Sequence, residues 1–288
     1  MSAEPTISVV TPSYNQVDYI EETLRSVQAQ EYGNTEHVVV DGESDDGTLD
    51  ILREHEETIH WVSEPDEGQS DAINKGFDIV SGDIVGWLNS DDVYFDTGVF
   101  SRVRGYFERH DADVIYGDMA LIDPVSDVLK LRCVPAFDYD RLLRGCFIEQ
   151  PALFFRKEVL DSQRLDVDLE YVMDYEFWLR LGQEYEFHHV GDILAGDRNH
   201  RARKILDQRD AMQEEAAEIA QEYGATTGTT YRAERLNDMF TSGLPRRLKA
   251  AARTLQLHCD PPELAFDGQL YPLSEMIANV ARPNRTLV

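Results

Sequence analysis

The chain has 288 residues, of which 55 are acidic and 27 basic, giving a formal net charge of −28 and a pI near 4.5. That length suits one catalytic-sized domain with a smaller appendage, and a hydrophobic content of 42% is ordinary for a globular protein that buries a core. The acid excess, with no basic stripe carrying interleaved aromatics, argues against nucleic acid as a partner, and no run reaches the roughly 18 apolar residues of a membrane span.

Short β-rich runs alternate with amphipathic stretches through the first third. Strands are expected at Ile7 to Pro12, His37 to Asp41, Ile59 to Ser63, Ile84 to Leu88 and Val114 to Tyr116. Helices are expected between them at Asp18 to Gln30, Thr48 to Glu56, Gln69 to Val80 and Asp96 to His110. This alternation implies an α/β fold, a mostly parallel sheet flanked by helices, with ligands at the carboxyl ends of the strands. Past Gly117 the pattern changes. Asp118 to Ile122 and Val128 to Arg132 flank a turn and read as a hairpin, which makes the sheet mixed. A short helix at Tyr139 to Arg144, a strand at Ala152 to Phe155, a helix at Asp174 to Gln183 and strands at Phe187 to Val190 and Ile193 to Gly196 follow. From about Lys204 onward only helices are read, broken at Gly224 to Gly228 and at Pro261-Pro262.

Four polar clusters fall at predicted strand ends. The first is Thr11-Pro12-Ser13-Tyr14-Asn15. It has no Gly-x-Gly-x-x-Gly, which disfavours a dinucleotide fold for hydride transfer. The second runs from Asp41 to Thr48. Asp46 and Thr48 read as a turn and helix cap, whereas Asp41 follows three Val residues at a strand end, where a carboxylate can accept hydrogen bonds from a base or ribose. The third, Glu64 to Gly76, leads into a helix whose N-terminus favours anions, with Lys75 adding a point charge. The fourth is Trp87-Leu88-Asn89-Ser90-Asp91-Asp92. Adjacent carboxylates at the end of a buried strand raise each other's pKa unless a cation lies between them. Magnesium or manganese, held by one or two carboxylates together with substrate phosphates, would resolve that conflict.

In this order and spacing, over roughly Ile7 to His200, the clusters resemble glycosyltransferase family 2, whose members adopt the GT-A fold. The resemblance implies that Pro12, Tyr14, Asn15, Asp41, Asp66, Asp71 and Lys75 line a nucleotide pocket. It sets Asn89-Ser90-Asp91 at the family's Asp-x-Asp position, with Asp91 as key ligand of Mg or Mn and Asp92 as a second candidate. Asn89 departs from the usual acid, which implies weaker metal affinity. Gln150 to Arg156 and Met173 to Arg180 resemble the family's acceptor-side segments, so Gln150 and Trp178 are expected beside the acceptor and Asp174 is expected to be the base. Asp174 would also cap its helix, and Glu176 would point to another side of it. His200 follows a predicted strand end within the dense cationic stretch Asp197 to Lys204, and similar relatives place a His there near metal and diphosphate.

The resulting expectation is a GT-A-like catalytic domain over 1–205, with a donor half to about 117 and an acceptor half from 118, and a helical extension over 206–288. The expected reaction is an inverting transfer from a nucleoside-diphosphate sugar, UDP-sugar first, to an acceptor glycan or lipid-linked sugar, in glycan, glycolipid or surface-polysaccharide synthesis. The extension would dimerise, dock on a partner or touch lipid-linked acceptors. A sugar nucleotidyltransferase and a catalytically silent sugar-binding scaffold are the alternatives. The first lacks a Gly-rich phosphate loop after strand one, and retention of Asp91 and Asp174 argues against the second.

Charge and cysteine bear on the setting. Lys occurs only at 75, 130, 157, 204 and 249 and the acids are dispersed, a pattern expected of a halophilic archaeon. At about 1 M salt the Debye length is only about 3 Å, which removes the self-repulsion and the repulsion of an anionic donor. Met1 to Thr6 carries no secretory pattern, so a cytoplasmic location is expected, with peripheral contact at the inner membrane face open to it. Cys133, Cys146 and Cys259 are odd in number and widely spaced, which suits reduced, buried thiols.

Overall fold

The computed structural model describes residues 4–200 and 208–225, together with the backbone of 263–266 and 269–272. The chain opens with β1 (Ile7–Ser13), α1 (Ile20–Gln28), β2 (Thr35–Asp41), α2 (Thr48–Glu54), β3 (His60–Ser63), α3 (Gln69–Ile79) and β4 (Ile84–Trp87). These four strands pair in parallel in the order β3-β2-β1-β4. The chain thus steps outward from β1 and then returns to its other side. That reversal leaves a crevice at the carboxyl ends of β1 and β4. α3 packs low over β1: a Cβ on Gly76 would stand 2.3 Å from Val10 Cγ1, so the close approach requires glycine. This seating brings the first turn of α3 to the crevice.

The second half supplies β5 (Val93–Tyr94), α4 (Val99–Arg109), β6 (Val114–Ile122), β7 (Val128–Arg132), α5 (Tyr139–Leu142), β8 (Leu153–Arg156), α6 (Met173–Glu184) and β9 (Phe187–Arg198). β8 runs antiparallel between β4 and β6, β9 lies parallel to β6, and β5 and β7 add antiparallel edges. The mixed, mostly parallel sheet flanked by helices is therefore the fold that the alternation implies.

Successive strand residues divide between two cores, as the pleat dictates. Val10, Val85, Val114 and Phe155 face a cluster with Phe77, Phe177 and Trp178 of the α3 and α6 side. Their neighbours Val9, Ile84, Ile115 and Phe154 face Phe100 and Val103 of α4. Each such fully buried side chain contributes about 1.5–3 kcal/mol relative to exposure.

Three expectations need correction, and one strand is additional to those expected. The runs on either side of Gly117 form one strand, β6, whose register against β9 shifts near Tyr116 and Asp118. The two strands read over 187–196 are likewise one, β9, extending to Arg198. β5, two residues long, is too short to show a period. Beyond Lys204, α7 (Arg209–Glu222) is helical, but β10 (Glu263–Phe266) and β11 (Gln269–Pro272) pair antiparallel, so the extension is not helical throughout.

α7 does not stand apart from the sheet and its flanking helices. Ala216, Ile219 and Ala220 are buried in the same cluster as Phe177 and Trp178. Cys133 and Cys146 are half-buried, and neither forms a disulfide among the described residues. Cys259 and the other helices read in the extension lie outside the described residues. Among those described, no helix is long and apolar enough to cross a membrane.

Candidate active site

The crevice is a cleft of about 510 Å³, within the size range of small-molecule sites. The ends of β1 and β4, the start of α3, the segment before α6 and the end of β9 all reach it. Pro12 and Tyr14 line one wall, and Tyr14, 62% exposed, offers a ring at the mouth. Asp66 enters from the loop before α3, its Oδ1 accepting from Gly68 N at 2.9 Å. Asn89, Ser90, Asp91 and Asp92, with Gln150 and His200 beside them, form the floor below β4, and Asp174 completes the far side.

Four of the expected donor residues stand behind this lining and brace it. Asp41 is fully buried at the end of β2, one strand away from the crevice. Its carboxylate accepts from Ser44 N at 2.9 Å, Ser44 Oγ at 2.5 Å and Ser63 Oγ at 2.9 Å. Asn15, at φ 52°, accepts from Asp45 N on Oδ1 while its own N–H donates to Ser44 Oγ. Asp46 and Thr48 bond each other as turn and cap. Lys75 donates to Pro65 O at 2.7 Å and pairs with Asp71 at 3.1 Å and Glu64 at 3.2 Å. Asp71 also accepts from Glu67 N. The pair therefore fastens the loop that carries Asp66.

At the floor, Asp91 Oδ2 and His200 Nε2 lie 2.8 Å apart, and Tyr19 packs on the imidazole with ring centroids at 4.6 Å. Arg198 holds this corner. Fully buried, it donates from Nε to Asp91 O at 2.7 Å, from its backbone N to Asp92 Oδ1 at 2.9 Å and from Nη2 to Glu22 at 2.6 Å. Asp92 is thus tied to the end of β9, while Asp91 and His200 turn toward the cleft. Arg201, Arg203 and Lys204 lie outside the described residues.

A carboxylate and an imidazole in contact suit a divalent cation, whose neighbouring ligands at about 2.0–2.1 Å bond lengths stand on the order of 3 Å apart. Among the described residues no three His, Cys, Asp or Glu side chains gather into a complete ligand set. Asp91 and His200 could hold a cation whose remaining ligands would come from groups other than these side chains, such as phosphate oxygens and water. The cleft's own charge points the same way. Asp66, Asp91, Asp92, Glu170 and Asp174 line it, and no Lys or Arg does so among the described lining residues.

Asp174 does not cap α6, whose N-cap position is Val172 with no side-chain cap bond; it sits in the first turn and accepts from Tyr175 N at 2.8 Å. Burial pushes its carboxyl up to about 6, where it can take a proton near neutral pH. Glu176 points away from the cleft. It pairs with Arg180 at 2.8 Å and accepts from Tyr223, the residue that follows α7. Trp178, expected beside the acceptor, is only 1% exposed and lies in the core behind α6. The cleft instead receives Glu170 and Tyr171, which no spacing marked out in the sequence. Their segment is fastened by Glu215 of α7, whose carboxylate accepts from the N–H groups of Glu170, Tyr171 and Val172 at 2.7–3.0 Å. Gln69 and Trp87 also line the cleft. Both belong to the polar clusters, but neither stands out there by type.

A family profile described as "Glycosyl transferase family 2" matches residues 8–156. An uncharacterized glycosyltransferase of Rickettsia prowazekii is 29% identical over 213 residues, covering 69% of this chain and 65% of the relative, so the chain spans just under two thirds of that protein. An uncharacterized glycosyltransferase of Mycobacterium tuberculosis is 32% identical over 185 residues, covering 62% of this chain and 70% of the relative. Among solved structures, S. aureus TarS 1-349 in complex with UDP-GlcNAc superposes with a TM-score of 0.64 at 18% identity, covering 88% of this chain and 76% of that one. The mannosyltransferase PcManGT from Pyrobaculum calidifontis, in complex with GDP-Man and Mn2+, gives 0.60 at 18% identity, covering 97% and 80%.

Proposed function

Because the chain belongs to glycosyl transferase family 2, we propose that it transfers a sugar, with inversion, from a nucleoside-diphosphate sugar to an acceptor hydroxyl. The observation that carries this reading is the placement of Asp174 in the same cleft as the Asp91 and His200 pair. In the reaction the acceptor oxygen bonds to the anomeric carbon as that carbon's bond to the diphosphate oxygen breaks. The acceptor proton passes to Asp174, and the electron pair of the broken bond leaves with the nucleoside diphosphate. Asp91 and His200 would hold Mg or Mn, which supplies charge neutralisation to the departing diphosphate. Tyr14 and Asp66 would meet the nucleotide, with Asp41, Asn15, Asp71 and Lys75 supporting their loops. UDP-sugar is the first donor to test, GDP-mannose the second. The acceptor is proposed to be a glycan or lipid-linked sugar in glycan or surface-polysaccharide synthesis. Turnover of nucleotide sugars in molar KCl with Mn or Mg tests the proposal. Release of nucleoside diphosphate that depends on Asp174 supports it, and absence of both binding and turnover across a donor panel overturns it.

The same proposal includes a halophilic setting, since the acid excess is dispersed and Lys scarce. The thermal midpoint is expected to rise steeply between dilute buffer and molar KCl. A midpoint that is unchanged or higher in dilute buffer rejects that setting without touching the chemistry.

A further inference from the structure

Three side chains at the cleft floor close a directional ring. Trp87 Nε1 donates to Asn89 Oδ1 at 3.0 Å, Asn89 Nδ2 donates to Gln150 Oε1 at 3.0 Å, and Gln150 Nε2 donates back to Trp87 O at 2.5 Å. Amide orientation is ordinarily a matter of assignment, because carboxamide O and N are hard to tell apart. Here it is forced. An indole N–H can only donate and a backbone carbonyl can only accept, and Trp87 supplies both ends. Turning over either amide would set oxygen against oxygen or N–H against N–H.

The ring in turn orients Gln69. Its Nε2 donates to Asn89 Oδ1 at 2.9 Å, so its Oε1 is turned away from Asn89, and the side chain lines the cleft. Gln69 is also linked to both proposed reacting ends, through its own bond to Asn89 and through the neighbouring Ser70. Asn89 leads directly to Asp91 on the diphosphate side, and Ser70, next to Gln69, bonds Met173 Sδ at 2.8 Å beside Asp174. A sugar whose anomeric carbon stands between a departing diphosphate and an attacking hydroxyl must occupy that interval.

We propose that Gln69 reads the transferred sugar, its Oε1 accepting a hydrogen bond from a sugar hydroxyl, with Trp87, Asn89 and Gln150 as the ring that holds it in that sense. This rests on the glycosyltransferase reading of the cleft. It also accounts for Asn89 where the family's usual residue is an acid. A carboxylate at position 89 would face Gln150 Oε1 with a second oxygen, and Gln150 could not turn over without losing Trp87 O. The amide at 89 serves sugar selection and leaves metal ligation to Asp91 and His200.

The test is calorimetry of UDP, UDP-glucose, UDP-galactose, UDP-N-acetylglucosamine and GDP-mannose with wild type, Gln69→Leu, Asn89→Asp and the double variant Asn89→Asp with Gln150→Lys. Gln69→Leu is expected to keep wild-type affinity for the nucleoside diphosphate. It should lose about tenfold for the preferred sugar nucleotide, the worth of one hydrogen bond, and flatten the preference among sugars. Asn89→Asp should lower the thermal midpoint and the sugar preference together. Adding Gln150→Lys, whose ammonium can donate both to the introduced carboxylate and to Trp87 O, should restore both in part. If wild type binds sugar nucleotides selectively and Gln69→Leu does so with unchanged affinity and ranking, the assignment of Gln69 is overturned while the enzymatic reading stands. If wild type binds none of the probes, both fall.

Discussion

Carboxylates on the two sides of the cleft are treated in opposite ways. On the side of β2 and α3, Asp41, Asp46 and Asp71 have their oxygens taken up by fixed N–H and O–H donors or by Lys75. Such groups act as girders: they hold loops in place and have little capacity left for a ligand. Across the cleft, Asp174 accepts from Tyr175 N, and burial raises it to about 6. Asp91 meets a histidine there. On the proposed reading, what separates support from chemistry is how much hydrogen-bonding capacity the fold leaves unspent, not residue type.

The strongest way to break this contrast is at Asp174. Asp174→Asn should lower transfer by roughly 10²- to 10⁴-fold, the usual range for general acid–base catalysis, with nucleotide affinity unchanged. Glu176→Gln, on the same helical turn, should stay within a few-fold in rate. It should instead lose about 1–3 kcal/mol of stability as Arg180 and Tyr223 lose a charged partner. Single-turnover kinetics and denaturant unfolding separate the two, and a dead Glu176 variant beside an active Asp174 variant reverses the placement of the base.

Metal binding comes next in size. Asp91→Ala and His200→Ala should each weaken Mn-dependent binding of nucleoside diphosphate by an order of magnitude or more, while metal-free binding changes little. Calorimetry with and without Mn reads this directly, and equal metal stimulation in wild type and both variants removes the pair from the site.

The pH dependence follows from the sign of the Asp174 shift. A base must be deprotonated, so transfer should rise with pH through about 6 and level off above it, and Asp174→Asn should abolish that limb. Because the folded value lies above the unfolded one, this group favours the folded state most below the unfolded pKa, and that contribution is lost as pH rises through about 6. Asp174→Asn should therefore have a thermal midpoint at pH 7 no lower than wild type. A clear drop there would mean that the carboxylate is itself a girder.

Much of this arrangement is legible in the sequence, for a physical reason. A parallel sheet sends every polar strand end to one edge, so strand order places the four polar clusters near the cleft, and the family resemblance then singles out Pro12, Tyr14, Asp66 and Asp91 within them. Which strand end meets the crevice depends on the reversal at β1, and that sets Asp41 one strand back. Trp178 reads as an acceptor contact by its motif, yet its helical phase turns it into the core with Phe177. Glu170, Tyr171 and their anchor Glu215 are more than 40 residues apart, and no local period links a carboxylate on α7 to three amides before α6. Asn89 reads as a weakened metal ligand in sequence. Its ring with Trp87 and Gln150 depends on β8 pairing with β4, a non-local antiparallel contact that no residue pattern shows.

The finest cut through the comparison is at Asp41, where support and ligand contact make different demands on one side chain. Asp41→Ala leaves Ser44 N, Ser44 Oγ and Ser63 Oγ without their shared acceptor in a buried place, which should cost about 1–3 kcal/mol in stability. Nucleotide affinity should fall with it, since the same loop positions Asn15 next to Tyr14. Asp41→Asn is more telling. Its oxygen can still accept from Ser44 N and Ser63, and its amide can donate to Ser44 Oγ, so the loop keeps most of its bonds while the charge is gone. If Asp41 acts only as a girder, the Asn variant should bind nucleoside diphosphates within a few-fold of wild type and unfold near the same midpoint. A large loss of affinity at an unchanged midpoint would show instead that the carboxylate turns from Ser44 to the nucleotide when the donor enters, and the boundary between support and chemistry would then run one strand further out.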